Sequence, residues 1–417
     1  MQVLIISIGT RGDMEPFLAI GRILQERGHA VTCQFPEQFR DLVEGAGFSF
    51  ETLGTGFMDM LNSDLGKFAL GGGGSWFRKM MAFVKLARVQ ARNNREMVRL
   101  QREATARLRP DRIVHNGKAM YPVLWEVDHP GRTIYVSPVP YLHYVKGHTH
   151  TAFHSDYGEP LNRLTYKLAD WGVTKATVTA ARWLGLAAIT KAQVKQALRE
   201  HTIIYTVSPQ LFPRPPYWSD NMQVLGYHER NKATNWLPSA DLLRFLERHG
   251  KLLFVTFGSM TNPDPKGKTA VLLDILKRNR IPAIINTSSG GLVEPEAYDR
   301  DLFHFVGAVP YDWLFPRVYA VIHHGGSGTT HMAVRNGCAS MIIPHVIDQF
   351  NWDRTIEEKD LGPRGVKVSR ITVRNLEPRI LDLMNNPAYK RNAEAMAGRM
   401  QEEQGLEEAL YQVIVDD

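Results

Sequence analysis

Between Ala320 and Asn351 the chain reads AVIHHGGSGTTHMAVRNGCASMIIPHVIDQFN, and most of its recognisable chemistry lies there. A β-rich apolar run, Ala320 to His323, gives way at His324 to Gly325-Gly326-Ser327-Gly328. The spacing predicts a helix opening at Thr329 or Thr330 and stopping at Asn336-Gly337, then a strand from Ser340 to Ile343. A strand, a glycine loop and a helix N-terminus make an anion site, because unpaired N–H groups and the positive dipole end converge there. Ser327, Thr329 and the imidazole of His324 add side-chain donors. The chemistry implied is recognition of a pyrophosphate.

Two familiar phosphate loops do not fit. A P-loop needs Gly-Lys-Ser/Thr, and no lysine follows Gly328. A dinucleotide fingerprint needs G-x-G-x-x-G after the first strand, where this chain has Gly9-Thr10-Arg11-Gly12-Asp13. That upstream loop supplies a carboxylate, Asp13, and Asp348-Gln349 follow the later strand. Each has a plainer reading. The glycines allow tight helix–strand packing, Asp13 N-caps the helix containing Pro16, and Asp348-Gln349 cap the next helix.

Elements of an open α/β sheet must hold these residues. Val3 to Ile8 and Leu252 to Phe257 are apolar runs, each broken by glycine and followed by a helical pattern. Two such openings about 250 residues apart imply two Rossmann-like domains. A proline-rich stretch, Phe212 to Pro238, reads as a linker. The expected division is 1–220 and 221–394, with a helix at about 395–417 that packs back on the first domain. A chain of 417 residues, 44% hydrophobic and 22% charged, has the balance of a globular protein of that size. Cys33 and Cys338 are its only cysteines, so a disulfide framework and a cysteine-based zinc site are excluded. No signal-peptide or membrane-span pattern occurs, so the sequence reads as a soluble, cytoplasmic protein.

The formal net charge of +7 leaves nucleic acid, a membrane surface or an anionic substrate open. No nucleic-acid motif accompanies it. Arg78, Lys85, Arg92 and Arg99, with Arg88, Arg95, Arg102 and Arg109, form one basic face on a predicted helix over 76–109. That face reads either as a solvated surface or as a peripheral contact with anionic membrane. Asp299-Arg300-Asp301 and the histidines His143, His148, His150 and His154 read as loop residues, and no metal site is expected.

The segments GTRGDMEPFLAIGRIL, VTFGSM, VPYDWLFP and HHGGSGTT…DQ, in that order, resemble the family 1 glycosyltransferases of GT-B fold. The nearest branch holds the bacterial and fungal sterol glucosyltransferases and the antibiotic-aglycone glycosyltransferases. The resemblance implies two Rossmann-like domains facing each other across a cleft, the acceptor on the first and the donor on the second. It implies inverting transfer of a hexose, glucose first, from a nucleoside diphosphate to a hydroxyl of a small hydrophobic acceptor. No cofactor or metal is implied, and a UDP-sugar is favoured over a TDP-sugar. Asp13 takes the place of the catalytic base, beside Thr10, Arg11 and Gly12. Ser259, His324, Gly326, Ser327, Gly328 and Thr329 would hold the diphosphate, Val309 the base edge, and Asp348 with Gln349 the sugar. Phe57, Trp76, Tyr141 and His143 would line the acceptor pocket. Other readings are a lipid-linked sugar transferase, a sugar-nucleotide epimerase and a non-catalytic sugar-nucleotide-binding module. The plant pattern's stacking tryptophan is missing near Ala308, although Trp313 lies close by. Met332 stands near the place of its ribose-binding glutamate.

Overall fold

The computed structural model describes residues 1–56, 59, 76–153, 155–230, 236–258, 260–262, 264–288 and 290–416, without side-chain detail at 76–88 and 404. The expected site residues Phe57 and Ser259 and the histidine His154 lie outside the described residues, as does the side chain of Trp76. The chain divides into one unit of Met1–Arg230 with Gly405–Asp417, and a second of Asn231–Gln404.

The first unit runs β1 (Gln2–Ile6), α1 (Arg11–Glu26), β2 (Ala30–Phe35), α2 (Arg40–Glu44), β3 (Ser49–Thr52), α3 (Trp76–Leu108) and β4 (Arg112–His115). It continues with α4 (Tyr121–Glu126), β5 (Thr133–Ser137), α5 (Glu159–Trp183), α6 (Lys191–Glu200), β6 (Thr202–Tyr205) and β7 (Met222–Val224). Its sheet has the order β3-β2-β1-β4-β5-β6-β7, with parallel pairing throughout. Helices cover both faces, which is why Val3 to Ile6 are all buried rather than alternately exposed.

The second unit runs α7 (Ala240–Arg248), β8 (Leu253–Thr256), α8 (Pro265–Arg278), β9 (Ala283–Asn286), β10 (Phe303–Val306), α9 (Tyr311–Leu314) and β11 (Ala320–His323). There follow α10 (Ser327–Arg335), β12 (Ala339–Ile342), α11 (Gln349–Glu358), α12 (Val373–Asn385) and α13 (Pro387–Gln401). Its parallel sheet has the order β10-β9-β8-β11-β12. Both units are therefore Rossmann-like α/β layers.

The divisions fall about ten residues later than the sequence reading places them. Strand β7 adds to the first sheet beside β6, which carries that unit past residue 220. Helix α13 packs on α10 and β12 and so stays with the second unit. Only α14 (Leu406–Val415) returns to the first. Leu410 and Ile414 are fully buried there in a cluster with Val3, Ile5 and Phe17. Arg27 pairs with Glu407 and Glu408, and the His29 ring meets the Tyr411 hydroxyl at 3.0 Å.

Candidate functional site

Both sheets reverse their winding direction once, and the predicted chemistry collects at those two points. In the first unit the chain goes from β1 outward to β2 and β3, then returns to place β4 on the other side of β1. The loops leaving β1 and β4 diverge there, and such a switch point opens a crevice at the carboxyl ends of the strands. Asp13 stands in the first turn of α1 after β1, and Lys118 follows β4.

Asp13 caps α1, though not from the position expected. Thr10 holds the N-cap, and Asp13, three residues on, reaches back so that Oδ2 accepts the Thr10 backbone N–H at 2.8 Å. The Thr10 hydroxyl also donates to Oδ2, at 3.2 Å. Oδ1 pairs with Lys118 Nζ at 2.9 Å, and the carboxylate keeps 28% of its side-chain surface exposed. Gly9 makes room for this, because its φ of +148° is costly for other residues and a Cβ there would lie 2.2 Å from Asp13 Oδ2. Asn116 fixes the Lys118 side of the crevice. Its amide donates to Ser7 Oγ at 3.0 Å and the Ile8 carbonyl at 2.8 Å, and its Oδ1 accepts the Lys118 backbone N–H. Ser7 Oγ in turn donates to the Asp13 carbonyl. Arg11 pairs with Glu15, which Arg230 also holds, and Gly12 lies in the same first turn.

Lys118 and Asn116 escaped the sequence reading. The signal was present in His115-Asn116-Gly117-Lys118, a turn closing an apolar run. What the sequence did not show is that β4 lies next to β1.

In the second unit the reversal falls between β8 and β11. Helix α10 opens at Ser327, two or three residues before the expected start at Thr329 or Thr330, with Gly326 at its N-cap. Ser327, Gly328 and Thr329 thus contribute first-turn N–H groups that have no partner four residues back. His324 lies beneath them, buried, and no hydrogen-bond partner meets its Nδ1. Two glycines enclose the ring. A Cβ at Gly258 would come 2.5 Å from His324 Cε1, and one at Gly326 would come 2.4 Å from Nε2. Burial first, and then the neighbouring His323 and His345, hold the His324 pKa well below the usual histidine range. The ring is neutral and offers an N–H rather than a charge. An anion at this helix start would meet dipoles rather than a fixed charge.

Asp348 occupies the N-cap of α11. Gln349 is buried, and its Oε1 accepts the backbone N–H groups of His345 at 2.7 Å and Val346 at 3.1 Å. Gln349 therefore holds the turn before α11, whereas the Asp348 side chain makes no capping hydrogen bond to that helix. Ile347, within that turn, has φ +38°, a strained value for a β-branched residue. Val309 is nearly buried between β10 and α9. Trp313 packs against Trp236, with the Arg317 guanidinium 4.3 Å from its ring centre, and Met332 is buried in α10.

Other expectations resolve into structure. Tyr141 is buried and stacked on His148 at 4.4 Å, with φ +61°. His143 Nδ1 meets the Tyr205 hydroxyl at 2.6 Å, and burial lowers its pKa to about 4. Both residues thus sit inside an aromatic cluster with Phe212 and Trp218. Asp299 Oδ1 accepts the N–H groups of Asp301 and Leu302, and Asp301 pairs with Arg248, so the D-x-D builds a turn. Along the described part of the basic face, Arg99 is held by Glu96 and Glu103, and Arg102 donates to the Leu184 carbonyl. Among the described residues, no group of three or more His, Cys, Asp and Glu is placed to hold a metal ion. None of the described helices is long and apolar enough to cross a membrane.

Comparison with known proteins agrees with this architecture. Residues 3–106 match the glycosyltransferase family 28 N-terminal domain, and 301–413 match the erythromycin biosynthesis protein CIII-like C-terminal domain. A sterol 3-beta-glucosyltransferase of Arabidopsis thaliana is 28% identical over 97% of this chain, which spans 64% of that relative's length. Among solved structures, the kitacinnamycin glycotransferase superposes with a TM-score of 0.71 at 15% identity, covering 99% of this chain and 98% of the other. The spinosyn rhamnosyltransferase SpnG, complexed with thymidine diphosphate, does so with a TM-score of 0.64 at 14% identity, covering 99% and 100%. The chain thus has the GT-B fold and is similar to the sterol glucosyltransferases and to bacterial glycosyltransferases such as those of kitacinnamycin and spinosyn.

Proposed function

We propose that the chain is an inverting O-glycosyltransferase that moves a hexose from a nucleoside diphosphate to a hydroxyl of a small, hydrophobic acceptor, without a metal cofactor. The observation that carries this reading is the neutral donor cradle, in which the first turn of α10 and the glycine-enclosed His324 meet at the switch point of the second sheet. On this reading the second unit holds the nucleotide sugar, and the first holds the acceptor beside Asp13.

As the acceptor oxygen bonds to the anomeric carbon, its proton passes to the Asp13 carboxylate. The bond from that carbon to the β-phosphate oxygen breaks, and the electron pair leaves with the nucleoside diphosphate. Negative charge gathers on the leaving group, so N–H donors fixed in advance favour the transition state over the ground state. An oxocarbenium-like carbon forming ahead of proton loss makes a carboxylate an adequate base. Glucose is the first sugar to test, given the glucosyltransferase relative. UDP is the favoured carrier, and the thymidine diphosphate held by SpnG makes TDP the second.

Mass spectrometry of products from a matrix of UDP- and TDP-sugars against sterols, flavonoids and polyketide aglycones tests the reading. A product one hexose heavier than its acceptor, with stoichiometric diphosphate release, is expected. Nucleotide binding with neither release nor product across the matrix would leave the binding-module reading in its place.

A further inference from the structure

Helix α5 wears its amphipathicity inside out. A helix on a globular domain ordinarily turns an apolar stripe to the core and a polar face to water. The buried side of α5 instead carries Asn162, Thr165, Tyr166, Thr174, Thr177, Ala180 and Ala181. Leu161, Leu164, Leu168 and Trp171 point outward with 54%, 45%, 50% and 55% of their surface exposed. Their spacing of three, four and three residues puts them on one stripe about 80° wide at 100° per residue. Tyr157, exposed just before the helix, extends it. Contiguous exposed apolar surface of this kind marks an interaction site.

Charge indicates the partner. Arg163 and Lys167, both exposed, run along one edge of the stripe, and Lys175 Nζ lies 4.9 Å from the Trp171 ring centre. Asp170 is the acidic side chain exposed along that edge. Leucines with a tryptophan, bordered by long cationic side chains, suit the boundary between acyl chains and anionic headgroups, where the cations extend to the phosphates. A second copy of the chain suits the stripe less well. A two-fold axis through its midpoint, between Leu164 and Leu168, would bring the two Lys167 side chains together.

From this we infer that α5 docks the protein on an anionic lipid surface, lying in the interfacial plane with Leu161, Leu164, Leu168 and Trp171 inserted and Arg163 and Lys167 on the headgroups. The inference does not depend on the transferase reading. It also moves the membrane-facing surface away from the basic face of α3, where Arg99 and Arg102 are already engaged within the protein.

The test is co-sedimentation of the full chain with vesicles of phosphatidylcholine alone and with about 30% phosphatidylglycerol. The wild type is expected to pellet with the anionic vesicles and to stay in solution with the neutral ones. Leu164→Glu/Leu168→Glu should lower anionic-vesicle binding at least about tenfold, and Arg163→Ser/Lys167→Ser should abolish the preference for anionic lipid. Both should keep the wild-type melting temperature, since the altered side chains are exposed. Arg92→Ser/Arg95→Ser on α3 should bind as the wild type does. The proposal is overturned by a wild type that never pellets, or by α5 variants that bind unchanged. A dimer that Leu164→Glu/Leu168→Glu dissociates, without vesicle binding by the wild type, would assign the stripe to a second copy instead.

Discussion

Lys118 Nζ lies 2.9 Å from Asp13 Oδ1, while Oδ2 of the same carboxylate takes the backbone N–H of Thr10 at 2.8 Å. The two residues are 105 positions apart in the chain, and the pair spans the loops leaving β1 and β4 at the point where the first sheet reverses. Both carboxylate oxygens are thus held in place within the protein, the kind of preorganisation a positioned base would require.

Asp13→Asn should retain nucleotide binding and lose about 10²- to 10⁴-fold in turnover, the range expected for removal of a general base. Lys118→Ala should lower kcat about tenfold or more while leaving the KM for the donor unchanged, because the carboxylate loses one of its two anchors. The melting temperature should scarcely move, as an exposed pair contributes little stability. Rates of nucleoside diphosphate release check both. A Lys118→Ala enzyme with wild-type kcat would remove Lys118 from any positioning role.

Gly258→Ala and Gly326→Ala each drive a methyl group against the His324 ring. Each should cost about 1–3 kcal/mol through overpacking and weaken UDP or TDP binding in calorimetric titration at least about tenfold. Gly398 in α13 has open space at its Cβ position, so Gly398→Ala is the matched control. It should be neutral or slightly stabilising, by about 0.5–1 kcal/mol. Unchanged affinity in the first two variants would show that the diphosphate does not use this cradle.

Stability should fall steeply in mild acid. Burial holds His115, His143, His150, His331 and His345 at about 4 and His323 at about 3 in the folded protein. The unfolded chain protonates histidine near 6.5, so below that pH it binds protons the native state refuses. Each such histidine subtracts up to about 1.4 kcal/mol per pH unit from 6.5 down to its folded value. Asp353, raised by burial to about 6, acts the opposite way, contributing stability below its unfolded value that is lost as pH rises through 6. Six histidines outweigh one carboxylate. Scanning calorimetry at pH 7.5, 6 and 5 should show the melting temperature dropping at each step, and a flat profile would contradict the burial of these rings.

Helix α14 closes the core of the first unit from the far end of the sequence. Leu410→Ala should cost about 2–5 kcal/mol in urea unfolding, since its side chain is fully buried against residues of the first sheet's core. Removal of 406–417 should expose Val3, Ile5 and their neighbours and leave the protein prone to aggregation. A truncated chain that melts like the full one would show that α14 is dispensable.

The sequence alone determined what local pattern can encode. Uninterrupted apolar runs at Val3 and Leu252 specified buried parallel strands, and the glycine-rich step after His323 specified a helix start directly after a strand. Asp13 and the Asp348-Gln349 pair stood out because the motifs around them resemble those of the glycosyltransferases, and spacing did not single them out. Tertiary structure decided whatever depends on strand order. The placing of β4 beside β1 brought Lys118 to Asp13, and β11 beside β8 brought Gly258 to His324. Register and adjacency arise from packing among residues from 67 to 109 positions apart in these two pairings, which no local window on the sequence contains. Burial decided the rest. His324 reads as a side-chain donor in sequence, and only the fold makes it a neutral one, because burial between two glycines and beside two other imidazoles disfavours the charged ring.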